Sequence, residues 1–242
     1  MATYICSDIH GQYQKFKNML KKIKFSDKDT MYILGDVIDR GPESIKLLAD
    51  IMSRENITLL LGNHELMMYD AYTSNEIYNY FLWFQNGGNV TKEAFEELSD
   101  WDKDNILDYF FHLPIAIPNL MINNKRYYLA HSSFIDNSNI SEKSCIANTE
   151  RKYIEMAVWS RDYPYLNIKK SKIYSEYKDA CLIAGHTFTH NLYKDFYNPG
   201  HIFYGHKHHY INVDCGCALY ARGYNSGRLG CLCLDTGKEY YT

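Results

Sequence analysis

Three stretches near the N-terminus share one rhythm: an apolar run of strand length, a short polar loop, then apolar positions at helical spacing. "TYICS" leads into "DIHG" and a helical pattern over Gln12–Ile23. "TMYIL" leads into "GDVIDRG" and a pattern over Glu43–Arg54, and "ITLLL" leads into "GNHE". Asp8 and Asp36 stand 28 positions apart, and Asp36 and Asn63 stand 27 apart. Both intervals are close to the roughly 30 residues of a β-α-β unit, which joins parallel strands by a right-handed crossover. Three such strands would deliver all three polar loops to one carboxyl edge, where open α/β sheets place ligands.

Residues 74–111 read as an aromatic-rich helical insertion. "NEIYNYFLWF" and "AFEELSDW" have helical spacing, Asn86–Asn89 is a break between them, and packing is the expected role. From Ile115 the pattern turns to strands: "IAIPNLMI", a turn at Asn123–Asn124, then "RYYLAHSS", a hairpin that ends in a polar loop. Residues 135–179 are polar and tyrosine-dotted without clear period, which predicts a loop-and-helix insertion near the site. "ACLIAGHT" repeats the strand-then-loop pattern, while "YINVDCGCAL" and "LGCLCLDTGKEYYT" add strands, the last with a turn at Thr236–Lys238. With no low-complexity linker and no strong repeat, the expectation is one mixed α/β domain over residues 1–242.

Composition narrows the function classes. A hydrophobic content of 46% is ample for a core, and a net charge of −3 without a basic stretch argues against binding a nucleic-acid polymer. No run approaches the roughly 20 apolar residues of a membrane span, and the N-terminus lacks a signal pattern. A cytoplasmic protein is expected. The seven cysteines are an odd number, and Cys215, Cys217, Cys231 and Cys233 lie in C-x-C stretches that read as strands. Reduced, buried thiols are therefore favoured over a disulfide framework or a four-thiolate zinc site.

The polar tips collect Asp8, His10, Asp36, Asp39, Arg40, Asn63, His64, His131 and His186. Carboxylate, amide oxygen and imidazole nitrogen suit a pair of divalent transition ions, and the lack of thiolates argues against a closed structural zinc site. Such a pair leaves a positive excess that fits a phosphate anion. Taken singly, His131 or His186 reads more readily as a satisfied polar residue at a strand end. "CIANTER" (Cys145–Arg151) has the C-x5-R spacing of cysteine-dependent phosphatases, but its flank "SEKS" and the internal Glu150 make chance the better reading.

"SDIHG", "GDVIDRG", "GNHE", "LAHSS" and "AGHT", in that order, resemble the signature of the phosphoprotein phosphatase family within the calcineurin-like metallophosphoesterases. "INVDCGCAL" and "GRLGCLCLD" resemble bacterial members. The resemblance covers most of the chain. It implies a sandwich of two mixed β-sheets flanked by helices, with metals between the strand ends. Asp8 and His10 would hold the first metal, Asp36 would bridge, and Asn63, His131 and His186 would complete the second. Manganese is the usual expectation for the pair, with iron or zinc as alternatives. Arg40 and, in "VWSRD", Arg161 would clamp phosphate together with Asn63, although Arg161 can equally lie across Trp159. His64 would protonate the leaving oxygen, held in its tautomer by Asp39. "YGHKHH" is the rival source of the last ligands, through His206 and His208; on the preferred reading His201, His206, His208 and His209 form a solvated turn. "HSS" at His131–Ser133 departs from the family's usual "HAG", which puts the local backbone path in question.

The leading expectation is hydrolysis of phosphoserine or phosphothreonine in phosphoproteins or phosphopeptides. The alternative is a dinucleoside polyphosphate hydrolase of the diadenosine tetraphosphate type. By resemblance, that branch typically has alanine where Asp39 stands and aspartate where Glu65 stands. A phosphate-binding domain without catalysis is the third reading.

Overall fold

The computed structural model describes residues 1–135, 139–162, 179–192, 200–205, 209–219 and 227–242. One sheet contains β1 (Thr3–Cys6), β2 (Thr30–Ile33), β3 (Ile57–Leu59), β9 (Gly230–Cys233) and β10 (Glu239–Tyr241), in the order β10-β9-β1-β2-β3. The other contains β4 (Ala116–Ile122), β5 (Lys125–Ala130), β6 (Ala180–Ala184), β7 (Phe203–Gly205) and β8 (Tyr210–Asn212), in the order β4-β5-β6-β8-β7. The helices are α1 (Tyr13–Ile23), α2 (Ser44–Met52), α3 (Asn63–Thr73), α4 (Ile77–Gln85), α5 (Asn89–Glu96), α6 (Asp100–His112), α7 (Arg151–Trp159) and the short α8 (Thr189–Leu192).

As expected, β1, β2 and β3 pair in parallel, in a register that sets Cys6 opposite Ile33 and Ile33 opposite Leu59. Antiparallel β9 and β10 extend this sheet, while the other combines parallel β5-β6-β8 with antiparallel edges. Both sheets are therefore mixed, and the α/β sandwich flanked by helices is the observed fold. Side chains alternate across a strand, so each strand serves two cores. Ile5, Leu129, Ile183, Ile211 and Leu232 fill the space between the sheets. Their neighbours Cys6, Ala130, Leu182, Tyr210 and Cys231 belong to the larger cluster that includes the helices.

Three details depart from the sequence reading. Cys215 and Cys217 lie beyond the end of β8 at Asn212, and Gly216 between them, at φ +74°, turns the chain so that the two side chains do not continue a strand. "AFEELSDW" is split between α5 and α6, since the Ser99 hydroxyl accepts the Asp102 amide at 3.2 Å and starts a new helix. The aromatic insertion is only partly packing, for α4 buries Trp83 but leaves Ile77, Tyr78 and Phe81 exposed. Of the 135–179 insertion, residues 136–138 and 163–178 lie outside the described residues, and the described part contains α7.

What aligns the polar loops is a buried anion. Asp36, three residues before Asp39, and the amides that follow it curl around the side chain of Glu65. Glu65 Oε2 accepts the N–H of Asp36 at 2.8 Å and of Gly62 at 3.0 Å, and Oε1 accepts that of Val37 at 2.9 Å. Successive amides aimed at one carboxylate form an anion nest, and this one ties the "GDVIDRG" loop to the first turn of α3. A Cβ on Gly62 would overlap Asp36 Oδ1, so this close approach requires glycine.

Burial pushes the Glu65 carboxyl up from 4.5 to about 7, against the pull of those amides. A raised folded value means that its contribution to stability is complete below the unfolded value and is lost as pH rises through about 7. In urea titrations of metal-free protein from about pH 5 to about pH 8, the wild type should lose stability relative to Glu65→Gln, by on the order of 3 kcal/mol. A relative gain would mean that the amides outweigh burial.

Candidate active site

Six of the nine predicted tip residues share an uncommon backbone. Asp8, His10, Asp36, Asp39, Arg40 and His186 have φ between +47° and +72°. Left-handed backbone at a non-glycine residue costs about 1 kcal/mol or more and persists only where its surroundings hold it. Here it turns each chain sharply at a strand end, so the following side chains point back across the edge.

The histidines are set by carbonyls behind them. His10 Nδ1 lies 2.9 Å from the Ile38 carbonyl, and His131 Nδ1 lies 2.6 Å from the Leu34 carbonyl. A carbonyl only accepts, so each Nδ1 carries the proton and each Nε2 presents a lone pair inward. Burial lowers the pKa of His10, His131 and His186, and therefore keeps these rings neutral. A metal ligand needs the same tautomer, the same neutrality and the same supporting bond.

Asp36 lies between two groups of donors. Its Oδ2 is 3.7 Å from His10 Nε2 and 3.8 Å from His64 Nε2, whereas its Oδ1 is 3.5 Å from His131 Nε2. Two sets of ligand atoms close enough to share an ion follow, His10–Asp36–His64 and Asp36–His131–His186, with Asp36 common to both. Burial, then the Asp8 and Glu65 carboxylates, hold the Asp36 carboxyl well above its ordinary range. Around His131 Nε2, Asn63 Oδ1 lies at 3.0 Å and His186 Nδ1 at 3.2 Å. With the proton on His131 Nδ1, its Nε2 and Asn63 Oδ1 are two acceptors facing each other, a buried arrangement that a cation resolves. The oxygen-and-imidazole donor set fits a borderline transition ion.

Asp8 sits slightly apart from those groups. Its Oδ1 is 4.0 Å from His10 Nε2, while its Oδ2 accepts the His186 amide at 3.0 Å and the Ser7 hydroxyl. It links the two sheets. A Cβ on Gly185 would overlap both Ser7 and Asp8, so glycine is required before His186.

His64 and Asp39 form a wholly buried pair, with Nδ1 to Oδ2 at 2.6 Å. The carboxylate fixes Nδ1 as the donor and leaves Nε2 facing Arg40. Arg40 Nη2 lies 2.8 Å from that nitrogen and Nη1 lies 2.5 Å from His10 Nε2. The guanidinium therefore occupies the lone pair that a metal on His10 would use, and the two exclude each other. Arg161 donates from Nη1 to the His186 carbonyl and the Thr187 hydroxyl, both at 3.0 Å. Both arginines line one small cleft with Asp36, Asn63, His186 and Asp214.

The remaining candidates fall elsewhere. His201 Nε2 takes a bond from Arg228 at 3.1 Å, and His206 and His208 lie outside the described residues. Among the described residues no group of thiols comes close enough to share an ion. Cys145 is buried ahead of a short helical turn, and Arg151 pairs with Asp70 through two bonds of 2.9 and 2.6 Å, so "CIANTER" forms no phosphate loop. In "HSS", Ser132 bonds the Ala157 carbonyl through both its amide and its hydroxyl at 2.8 Å. Neither serine has positive φ, so the missing glycine costs no strain.

Four residues escaped the sequence reading as parts of the site. Glu65 was legible only as a residue of "GNHE". Asp214, which lines the cleft and whose carboxyl burial and Asp8 hold well above the ordinary range, follows β8 just as the other aspartates follow their strands. Trp83 and Thr91 reach Asp39 from the aromatic insertion. No motif marks them.

The family described as calcineurin-like phosphoesterase matches residues 1–210. The symmetrical bis(5'-nucleosyl)-tetraphosphatase of Buchnera aphidicola subsp. Schizaphis graminum is 44% identical over 86 residues, 34% of this chain and 32% of that one. Serine/threonine-protein phosphatase 2 of Escherichia coli is 32% identical over 135 residues, 54% of this chain and 58% of that one. The chain thus spans less than two thirds of the length of either relative. A solved protein serine/threonine phosphatase from Saccharomyces cerevisiae is similar in fold at a TM-score of 0.62 and 17% identity, covering 100% of this chain and 79% of its own. With most of its length matched and its histidines and aspartates gathered at the ends of two mixed sheets, the chain belongs to the calcineurin-like phosphoesterase family.

Proposed function

We propose that the strand-end site is a two-metal phosphoesterase centre and that it hydrolyses phosphate monoesters of serine or threonine in proteins or peptides. Asp8, His10, Asp36, Asn63, His131 and His186 would hold the ions. Two divalent ions there would supply a hydroxide near neutral pH and offset the charge of the phosphoryl oxygens. Arg40 and Arg161 would bind the phosphate as planar, permanently charged donors. A phosphate that draws Arg40 away from His10 and His64 would free the ring nitrogens that the guanidinium now covers.

The observation that carries the substrate class is the buried His64–Asp39 pair at 2.6 Å. A serine or threonine alkoxide is a strong base and departs readily only if protonated. A nucleoside polyphosphate departs as a stable anion and needs no proton. A carboxylate kept out of solvent to orient one imidazole serves the first kind of leaving group.

The alternative draws its support from the relatives. Several of the relatives are symmetrical bis(5'-nucleosyl)-tetraphosphatases, and by name they favour a dinucleoside polyphosphate substrate. The ratio of kcat/KM for a phosphoserine peptide over diadenosine tetraphosphate, with manganese-loaded enzyme, decides between them. We expect a ratio well above one. A ratio well below one would assign the dinucleoside reading.

The metal assignment has its own test. Manganese at a hundredfold excess over its dissociation constant should raise the Tm of metal-stripped protein by on the order of 5 °C or more. Asp36→Asn, which removes the carboxylate common to both donor groups, should abolish that rise and hydrolysis while leaving the protein folded. Wild-type protein that neither shifts nor turns over with manganese, iron or zinc would leave only a phosphate-binding domain.

A further inference from the structure

Asp39 is wholly buried, yet its two oxygens are treated unequally. Oδ2 accepts from His64 Nδ1 at 2.6 Å and from the Trp83 indole N–H at 2.8 Å. Oδ1 has no hydrogen-bond partner among the described residues. A carboxylate turns easily about its Cβ–Cγ bond, and a carboxylate with one partner could offer either oxygen at varied angles. The second donor on the same oxygen removes that freedom, because both bonds are kept only when Oδ2 lies between the imidazole and the indole.

The donor itself is fixed. Trp83 is fully buried near the end of α4, with Tyr72, Tyr80 and Phe84 rings at 5.9, 6.5 and 5.7 Å from its own. A Cβ on Gly88 would overlap the indole, so the turn after α4 closes directly over it. That turn also supports the residue next to Asp39: the Arg40 amide donates to the Gly87 carbonyl at 3.1 Å, and its Nε donates to the Asn86 carbonyl at 3.4 Å. One helix end therefore addresses both Asp39 and Arg40.

We propose that Trp83 is a positioning residue for leaving-group protonation, acting through Asp39 on His64. The proposal rests on the reading of His64 as the proton donor. It differs from a merely structural role in one respect: a buried tryptophan N–H finds some acceptor in most cores, whereas this bond should matter only when the leaving group needs a proton.

Phenyl phosphate and p-nitrophenyl phosphate make the distinction, since the two esters are close in shape and nitrophenolate departs without a proton. Trp83→Phe should lower kcat on phenyl phosphate about tenfold, the worth of one hydrogen bond to a charged group, and change kcat on p-nitrophenyl phosphate less than about twofold. KM should stay constant for both. His64→Asn, run in parallel, should show the same selectivity more strongly. Equal losses on the two esters from Trp83→Phe, beside a selective His64→Asn, would overturn the role of Trp83 alone. An unselective His64→Asn would overturn the proton-donor reading and this proposal with it. Should Trp83→Phe fail to fold, benzothienylalanine at position 83 keeps the shape of the ring and deletes only the N–H, with the same expected selectivity.

Discussion

The site depends first on the Glu65 carboxylate in its nest of amides. Asp36, Asp39 and Arg40 arrive on one loop, and Asn63 and His64 on another, and nothing in the two strands alone fixes the angle between those loops. Glu65 fixes it, because one carboxylate accepts from Asp36, Val37 and Gly62 at once. The His64 amide completes the register from the other side by donating to Asp36 Oδ1 at 3.0 Å. Burial is what makes this clamp effective, since an unmade bond to a buried anion leaves an expensive unsatisfied charge.

Strain is the counterpart of that clamp. Six site residues adopt left-handed backbone, and a short linear peptide of the same sequence would not hold it. The bonds that hold it cross between distant parts of the chain: Asp8 accepts from the His186 amide, and His131 bonds the Leu34 carbonyl. The same bonds therefore join the two sheets, orient the inward-facing imidazoles and retain the strained turns. Site and sandwich are not separable in this fold, and a lesion in one is felt in the other.

The long reach of those bonds also explains what was legible in the residues. The parallel β1-β2-β3 unit could be read because strand, loop and helix recur at β-α-β spacing, and the tips because they share one chemistry at one kind of boundary. Asp214 lies at the same kind of boundary, and was hidden because Gly216 breaks a segment whose alternating cysteines read as continuing strand. Trp83 and Thr91 could not be read at all, for their contribution is a single bond each to Asp39, made over 44 and 52 positions of sequence. Helical spacing places Trp83 on a buried face and is silent on where its N–H points. The inward turn of Arg40 onto His10 and His64 was equally hidden, because it depends on the left-handed φ of +65° at that residue.

The aromatic insertion then looks less like packing added to a finished enzyme than like a wall of the site. Its inner side chain, Trp83, touches the carboxylate that orients His64, and the turn beyond it carries the carbonyls that hold Arg40. Its outer side chains Ile77, Tyr78 and Phe81 remain in solvent. A helix so placed transmits any displacement directly, because a shift of a few tenths of an ångström at Trp83 lengthens a 2.8 Å bond on the oxygen that His64 shares. His131 would feel such a shift less, since the Leu34 carbonyl at the end of β2 holds it, whereas His10 rests on the carbonyl of Ile38, the neighbour of Asp39. On the roles proposed above, the insertion bears on His64 through Asp39 and on His10 only through the neighbouring Ile38, so sequence change there would alter leaving-group protonation before it altered the metal donors.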